Sequence, residues 1–219
     1  MPLILWSHPY SGYGQKVHVA LHELGLPFGM KIIDGADPES LAGFARVSPF
    51  GKMPVLVDAD HGTVVETSII IEHLDRIAGG GLVPTDPDAQ LECRLIDRIV
   101  DTYVGGPMNR TAANRLRPLE AYDPTGAEAD ERALAQAWDW LEDRLSDGRT
   151  WGAGERFTMA DCGAAPLMTY GRRIVDFGDR PRLKAWHARL LERPSFRRAL
   201  EDAAPYGDLM PMEPGSRRA

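Results

Sequence analysis

Up to about residue 80 the apolar positions come in short runs; beyond it they recur every three to four residues. "LILW" (3–6) has the length and content of a buried strand. In "QKVHVALHELG", Val17, Leu21 and Leu24 stand at i, i+4 and i+7, which places them on one helical face. Gly25 suits the left-handed position that closes this helix, and Pro27 blocks its continuation. "FGMKIID" (28–34), "PVLVD" (54–58) and "TVVET" (63–67) predict strands, the last two joined through "ADHG" as a hairpin. "DPESLAGFARV" (37–47) predicts a short helix or a loop containing one, and "SIIIEHLDRIAGGG" (68–81) a longer helix. The order is β-α-β-α-β-β-α, an α/β domain that ends in an antiparallel hairpin and a helix.

"GLVPTDPDAQ" (81–90) is polar and proline-containing and reads as a linker. After it only helical spacing is found. Leu91, Leu95, Ile99 and Tyr103 share one stripe; Leu134, Trp138, Leu141 and Leu145 repeat at 4, 3 and 4; Leu183, Trp186 and Leu190 do the same. The chain therefore divides into an α/β domain (1–81), a linker (82–89), an all-α domain (90–205) and a tail without periodicity (206–219). The tail either folds over a cleft or stays disordered, and its pattern does not choose. In "FTMAD", Thr158 and Asp161 have the spacing of a capping box, which gives Asp161 a structural role. Pro166 falls inside the following helical run and is expected to bend it.

Composition narrows the classes. A net charge of −7 over 219 residues argues against a general nucleic-acid binder. No apolar run approaches the length of a membrane span, and the N-terminal residues lack a secretion-signal pattern. Cys93 and Cys162 stand far apart and outside any metal-ligand spacing; buried, reduced thiols and a cytoplasmic location are expected. His8, His18 and His22 lie close in sequence, with His18 and His22 expected on the solvated face of their helix, and no metal is expected.

Three stretches carry candidate chemistry. "HPYSGYGQKV" (8–17) follows the first strand and sets Ser11 among Tyr10 and Tyr13, either as turn chemistry or as a reactive site. "GKMPVLVD" (51–58) holds Met53–Pro54 at the entry to a strand, as a plain junction or as a cis bond. "VVETS" (64–68) places Glu66 and Thr67 where a strand gives way to a helix. Thr67 or Ser68 can cap that helix; equally, a helix N-terminus beside a carboxylate can hold the charged head of an α-amino acid.

These stretches, in this order and followed by "FTMADCGAAPL" and "LKAWHARLLERPSF", make the chain resemble the cytosolic glutathione S-transferases, in particular serine-type, bacterial-like members. The resemblance runs to about residue 205. It implies a thioredoxin-like domain joined to a helical bundle, a homodimer, and glutathione as co-substrate without a metal. Ser11 takes the thiolate-stabilising position, with Tyr10 and Tyr13 as substitutes, and Gly12 stands where serine-type members often carry Pro. Met53, before a cis-Pro54, pairs its backbone with the cysteinyl part of glutathione. Glu66–Thr67 replaces the family's Glu-Ser pair at the γ-glutamyl head, and Lys52 reaches the glycyl carboxylate. Tyr10, Tyr13, Tyr103 and Met108 are candidate liners of the electrophile site. The implied reaction adds the glutathione thiolate to a small hydrophobic electrophile, as in detoxification. Peroxidase, dehalogenase and isomerase chemistry run on the same scaffold, and a non-catalytic interaction or ligand-carrier protein is the alternative of a different class. Intact Ser11, Glu66 and Thr67 favour the enzyme.

Overall fold

A computed structural model describes residues 3–209 and 211–215; residues 1–2, 210 and 216–219, part of the tail among them, lie outside the description. The α/β part runs β1 (Leu3–Ser7), α1 (Gly12–Glu23), β2 (Phe28–Ile32), α2 (Pro38–Val47), β3 (Val55–Asp58), β4 (Gly62–Val64) and α3 (Thr67–Ala78). The strands form one sheet in the order β2-β1-β3-β4. β2 is parallel to β1, whereas β3 is antiparallel to both of its neighbours. Leu3, Leu5 and Leu56 pack against Val17 and Leu21 of α1 and Ile70 and Leu74 of α3 on one face. Ile33, Phe44 and Val55 close the other face beneath α2. Alternation along β1 makes this two-sided packing possible, because successive side chains point to opposite faces.

The second part is helical: α4 (Pro87–Ile99), a π-helical segment (Val100–Gly105), α5 (Gly106–Arg115), α6 (Pro124–Arg144), α7 (Met159–Gly171), α8 (Pro181–Glu192) and α9 (Pro194–Ala203), with short 3₁₀ turns between and after. α4 starts three residues inside the 82–89 linker, because Asp86 caps it through Ala89 N–H at 2.9 Å and Pro87 is suited to a first helical turn. The fully buried Trp138, Leu141, Leu183, Trp186 and Leu190 form the core around α7. Val19 and Ala20 of α1 and Ile71 of α3 belong to that same core. α1 is therefore wrapped on both sides, and every residue from Gly14 to Leu21 is buried.

Asp161 has the structural role expected of it. It is fully buried and accepts hydrogen bonds from Thr158 N–H (2.9 Å), Thr158 Oγ1 (3.1 Å), Gly152 N–H (2.9 Å) and Trp186 Nε1 (2.8 Å). Pro166 sits within the unbroken span of α7. Cys93 and Cys162 are buried free thiols. Two expectations are overturned. The Leu91/Leu95/Tyr103 stripe faces outward, with Leu91 69% and Tyr103 54% exposed, while Cys93, Ile96, Val100 and Val104 point inward. The inward face also carries Asp97 and Asp101, so its polar content disguises it in the sequence. His18 is not solvated: it is 4% exposed, because α9 lies over that side of α1 and brings Asp202 Oδ2 to 3.5 Å.

Burial pushes the imidazoles of His18 and His187 down from 6.5 to about 4, with His22 reinforcing the effect at His18 and Arg172 at His187. Below pH 6.5 the unfolded chain takes up protons that these folded sites refuse, so stability falls as pH drops towards about 4. Each unit of difference corresponds to ~1.4 kcal/mol. Urea midpoints measured across this window are expected to fall less steeply for His187→Gln than for the parent; parallel curves would contradict the assignment.

Candidate functional site

The turn between β1 and α1 is held by its own polar groups. Ser11 N–H donates to His8 O at 2.9 Å, and Tyr10 N–H to His8 Nδ1 at 3.1 Å. Gln15 Nε2 donates both to Pro9 O (2.8 Å) and to the Tyr170 hydroxyl (2.7 Å), tying the turn to α7. Ser11 is the N-cap of α1: its Oγ accepts Gly14 N–H at 3.1 Å in extended backbone geometry. The turn requires glycine at position 14, where a Cβ would come within 2.0 Å of Ser7 Oγ. Gly12 is the first helical residue, where Pro is commonly found, and a Cβ there would press on Leu167 Cδ2 at 3.1 Å. As an acceptor from Gly14, the Ser11 hydroxyl keeps its proton for a further partner, and that proton lies at the positive end of α1.

The two tyrosines differ. Tyr13 donates its hydroxyl to the Asp101 carbonyl at 2.8 Å, and burial together with the nearby Asp101 charge pushes its pKa up to about 12. Its proton is committed. Tyr10 packs against Tyr170, ring centroids 5.2 Å apart, and its hydroxyl accepts from Arg173 Nη1 at 3.2 Å. Met108 is buried, and its Sδ-methyl end and the Tyr170 ring both lie close to Gly12. Tyr103 lies on the exposed surface. Two described tail residues make contacts: Tyr206 meets His8 edge-on, centroids 4.6 Å apart, and Arg115 Nη1 donates to Pro211 O at 3.3 Å.

The other wall comes from the sheet. Trp6 pairs with Val55, so the end of β1 that leads into the Ser11 loop lies beside the start of β3. There the Met53–Pro54 peptide bond is cis, with Met53 half-buried and Pro54 buried. Ser48 clamps the preceding loop by accepting Lys52 N–H (3.0 Å) and donating to Lys52 O (2.9 Å), which leaves the Lys52 side chain in solvent. Val64 pairs with Leu56, and the chain then leaves β4 towards Glu66 at the end of the sheet where β3 begins. Glu66 has φ 68°, the one non-glycine positive φ among the described residues. Such a conformation costs on the order of 1–3 kcal/mol and persists only where the surroundings enforce it. Neither Thr67 nor Ser68 caps α3, contrary to the simple capping expectation; Glu66 occupies the cap without a side-chain bond. Thr67 is instead the first helical residue and buried, and the first N–H groups of α3 have no side-chain acceptor from the cap.

Ser68 points inward, to a group that sequence reasoning missed. Lys16 of α1 is fully buried, with Nζ 2.6 Å from Asp97 Oδ1, 2.8 Å from Asp101 Oδ2 and 3.1 Å from Ser68 Oγ. Ser68 Oγ in turn donates to Asp97 Oδ2 at 2.5 Å. Burial pushes the Asp97 carboxyl up, opposed by Lys16. Asp101 belongs to the π-helical segment, where Pro107 has no N–H for the preceding turn and Tyr13 takes up the Asp101 carbonyl. A Cβ at Gly105 would lie 2.4 Å from the Tyr13 hydroxyl, so this close approach demands glycine. Two acids at i and i+4, interleaved with Cys93, Ile96, Val100 and Val104 and away from the more apolar Leu91/Leu95 stripe, left no clear signal of this group in the sequence.

A four-stranded mixed sheet flanked by helices, with a cis-proline just before β3 and a helical bundle behind α1, defines a thioredoxin-like domain carrying an all-α domain. Residues 10–77 match the glutathione S-transferase N-terminal domain, and residues 110–194 the glutathione S-transferase C-terminal domain. A glutathione S-transferase of Pseudomonas putida is 30% identical over 209 residues, covering 91% of this chain and 92% of its own. A glutathione S-transferase of Methylobacterium radiotolerans, solved with glutathione sulfonate, superimposes with TM-score 0.79 at 28% identity over 91% of this chain and 94% of its own. One of Methylobacillus flagellatus, solved with glutathione bound, gives 0.80 at 25% identity over 90% and 98%. The chain belongs to the glutathione S-transferase family.

Removing one member of a buried ion group strands the others, at a cost of about 3–5 kcal/mol. Lys16→Met is expected to destabilise by about that much, read from denaturant unfolding. Tyr13→Phe should cost only about 0.5–1.5 kcal/mol. Equal, small losses in both would show that the buried charges carry no such role.

Proposed function

We propose that this protein is a glutathione transferase in which Ser11 donates a hydrogen bond to the glutathione sulfur and stabilises it as thiolate. The observation that carries this reading is the Ser11 hydroxyl, bound as an acceptor from Gly14 and with its proton uncommitted, at the N-terminus of α1. A free thiol has a pKa of ~8.5, so only a few per cent is thiolate at neutral pH. Lowering it by about two units takes ~2.7 kcal/mol of preference for the anion. One charge-assisted hydrogen bond and the helix dipole can supply that. Ser11 remains a hydroxyl throughout; the sulfur attacks. Tyr13 is the weaker substitute because its proton is already given to Asp101 O, which leaves Tyr10 as the competing donor.

The remaining roles are assigned on the resemblance to the family; two relatives were solved with glutathione sulfonate or glutathione bound. Met53 pairs its backbone with the cysteinyl unit. Glu66 receives the γ-glutamyl ammonium, and the uncapped start of α3 at Thr67 receives its carboxylate. The exposed Lys52 side chain serves the glycyl carboxylate. Tyr10 and Met108, with the ring of Tyr13, face a small hydrophobic electrophile; Tyr103 lies outside this group. No helix among the described residues is long and apolar enough to cross a membrane. Two copies are proposed to pair through the outward stripe. Ile69 (56% exposed) on α3 and Leu91 (69%) and Leu95 (37%) on α4 flank the Arg94–Glu72 ion pair, an apolar patch suited to a second chain.

Ser11→Ala is expected to raise the pKa of bound glutathione, followed by thiolate absorbance, and to lower kcat with an aryl halide. Unchanged values would move the role to Tyr10, and failure of the parent to bind immobilised glutathione would overturn the enzyme reading in favour of an interaction module. Sedimentation is expected to give a dimer for the parent and a monomer for Leu91→Glu/Leu95→Glu; a monomeric parent would refute the pairing.

A further inference from the structure

At the other end of the sheet, three potential metal ligands converge. Asp58 closes β3, His61 lies in the β3–β4 turn, and His73 projects from α3. One oxygen, Asp58 Oδ2, stands 2.9 Å from His61 Nδ1 and 2.8 Å from His73 Nε2. The three ligand atoms lie within 4.8 Å of one another. Asp58 Oδ1 accepts Asp60 N–H at 2.9 Å, which fixes the carboxylate and aims Oδ2 at both rings. The Asp58 side chain is fully buried and that of His73 10% exposed, whereas His61, at 37%, faces solvent.

We propose that Asp58, His61 and His73 form a binding site for a divalent transition-metal ion such as Zn²⁺ or Ni²⁺, with water completing the coordination. Two imidazoles and one carboxylate suit borderline ions; they are a poor set for Ca²⁺ or Mg²⁺, which take oxygen ligands. Ligand atoms around a tetrahedral ion at ~2.0–2.1 Å stand about 3.3 Å apart. The two distances from Asp58 Oδ2 to the rings need to lengthen by only about half an ångström, and the exposed turn holding His61 can provide that adjustment. The ion takes the place of the ring protons now donated to Asp58 Oδ2, and each neutral ring keeps its proton on its other nitrogen.

Arg76 bears on this site. Its Nη2 lies 3.2 Å from His73 Nδ1, so in the metal-free state Nδ1 accepts and Nε2 carries the proton to Asp58. Metal at Nε2 moves the ring proton to Nδ1, and the guanidinium must swing into solvent, which its exposed position permits. Arg76 therefore opposes binding.

The site is independent of the proposed glutathione cleft. Leu3 pairs with Asp58, whereas Trp6 pairs with Val55 beside Pro54 and the Ser11 loop. The two ends of β1 are on the order of 15 Å apart. An ion here clips the β3–β4 hairpin to α3. The earlier expectation of no metal weighed His8, His18, His22 and the two cysteines, none of which takes part.

Tag-free, chelator-treated protein titrated calorimetrically with Zn²⁺ alone is expected to bind one ion per chain. His61→Ala, in the exposed turn, should weaken binding at least about tenfold, and Arg76→Ala should strengthen it. His22→Ala, which removes half of the other histidine pair, should leave it unchanged. Zn²⁺ should raise the melting temperature of the parent and not of His61→Ala, and Co²⁺ should give visible bands of low coordination number in the parent alone. The proposal is overturned by an absence of saturable binding, by equal affinity in the parent and His61→Ala, or by loss of binding in His22→Ala instead.

Discussion

The buried ammonium of Lys16 is the constraint on which the arrangement of the two domains depends. A charge with no exposed surface persists only if it is paired and hydrogen-bonded, and its partners here come from three separate elements. Asp97 belongs to α4, Asp101 to the π-helical segment and Ser68 to α3. Helix α1 can therefore sit in only one register against the all-α domain. An apolar residue in place of Lys16 would allow neighbouring registers; the ion group does not.

That register fixes the N-terminus of α1, where Ser11 caps the helix. Tyr13, one turn before Lys16, reaches the Asp101 carbonyl, and Gln15 reaches Tyr170 of α7. The polar grip of the second domain thus starts within two residues of Ser11. On the sheet side, the antiparallel pairing of β1 with β3 brings Met53–Pro54 to the same end of the sheet, and the chain after β4 carries Glu66 there in a strained conformation. The helical domain anchors one wall and the sheet supplies the other. Tyr206 of the tail packs edge-on against His8 of that turn.

Much of this was legible along the chain. The β-α-β-α-β-β-α order, the change to helical spacing near residue 81 and the Thr158–Asp161 box follow from periodicity and turn chemistry, which act over a few residues. The candidate stretches around Ser11, Met53 and Glu66 were visible for the same reason, since each sits at a strand or helix boundary that its own residues mark. The face of α4 that is buried was not legible. Leu91 and Leu95 have the more apolar stripe, yet Asp97 and Asp101 point inward because a lysine from another domain awaits them.

By itself, the sequence determined the elements, their order, their caps and the points where the backbone must turn. These depend on side-chain size, φ restriction and local hydrogen bonds, all contained in a window of a dozen residues. Tertiary structure alone decided which polar groups are buried and which distant ones meet. Lys16 with Asp97, His18 beneath α9, and His61 and His73 on one oxygen of Asp58 are such cases. Their partners are brought in by packing between separate elements, and no spacing along the chain encodes how those elements come to lie together.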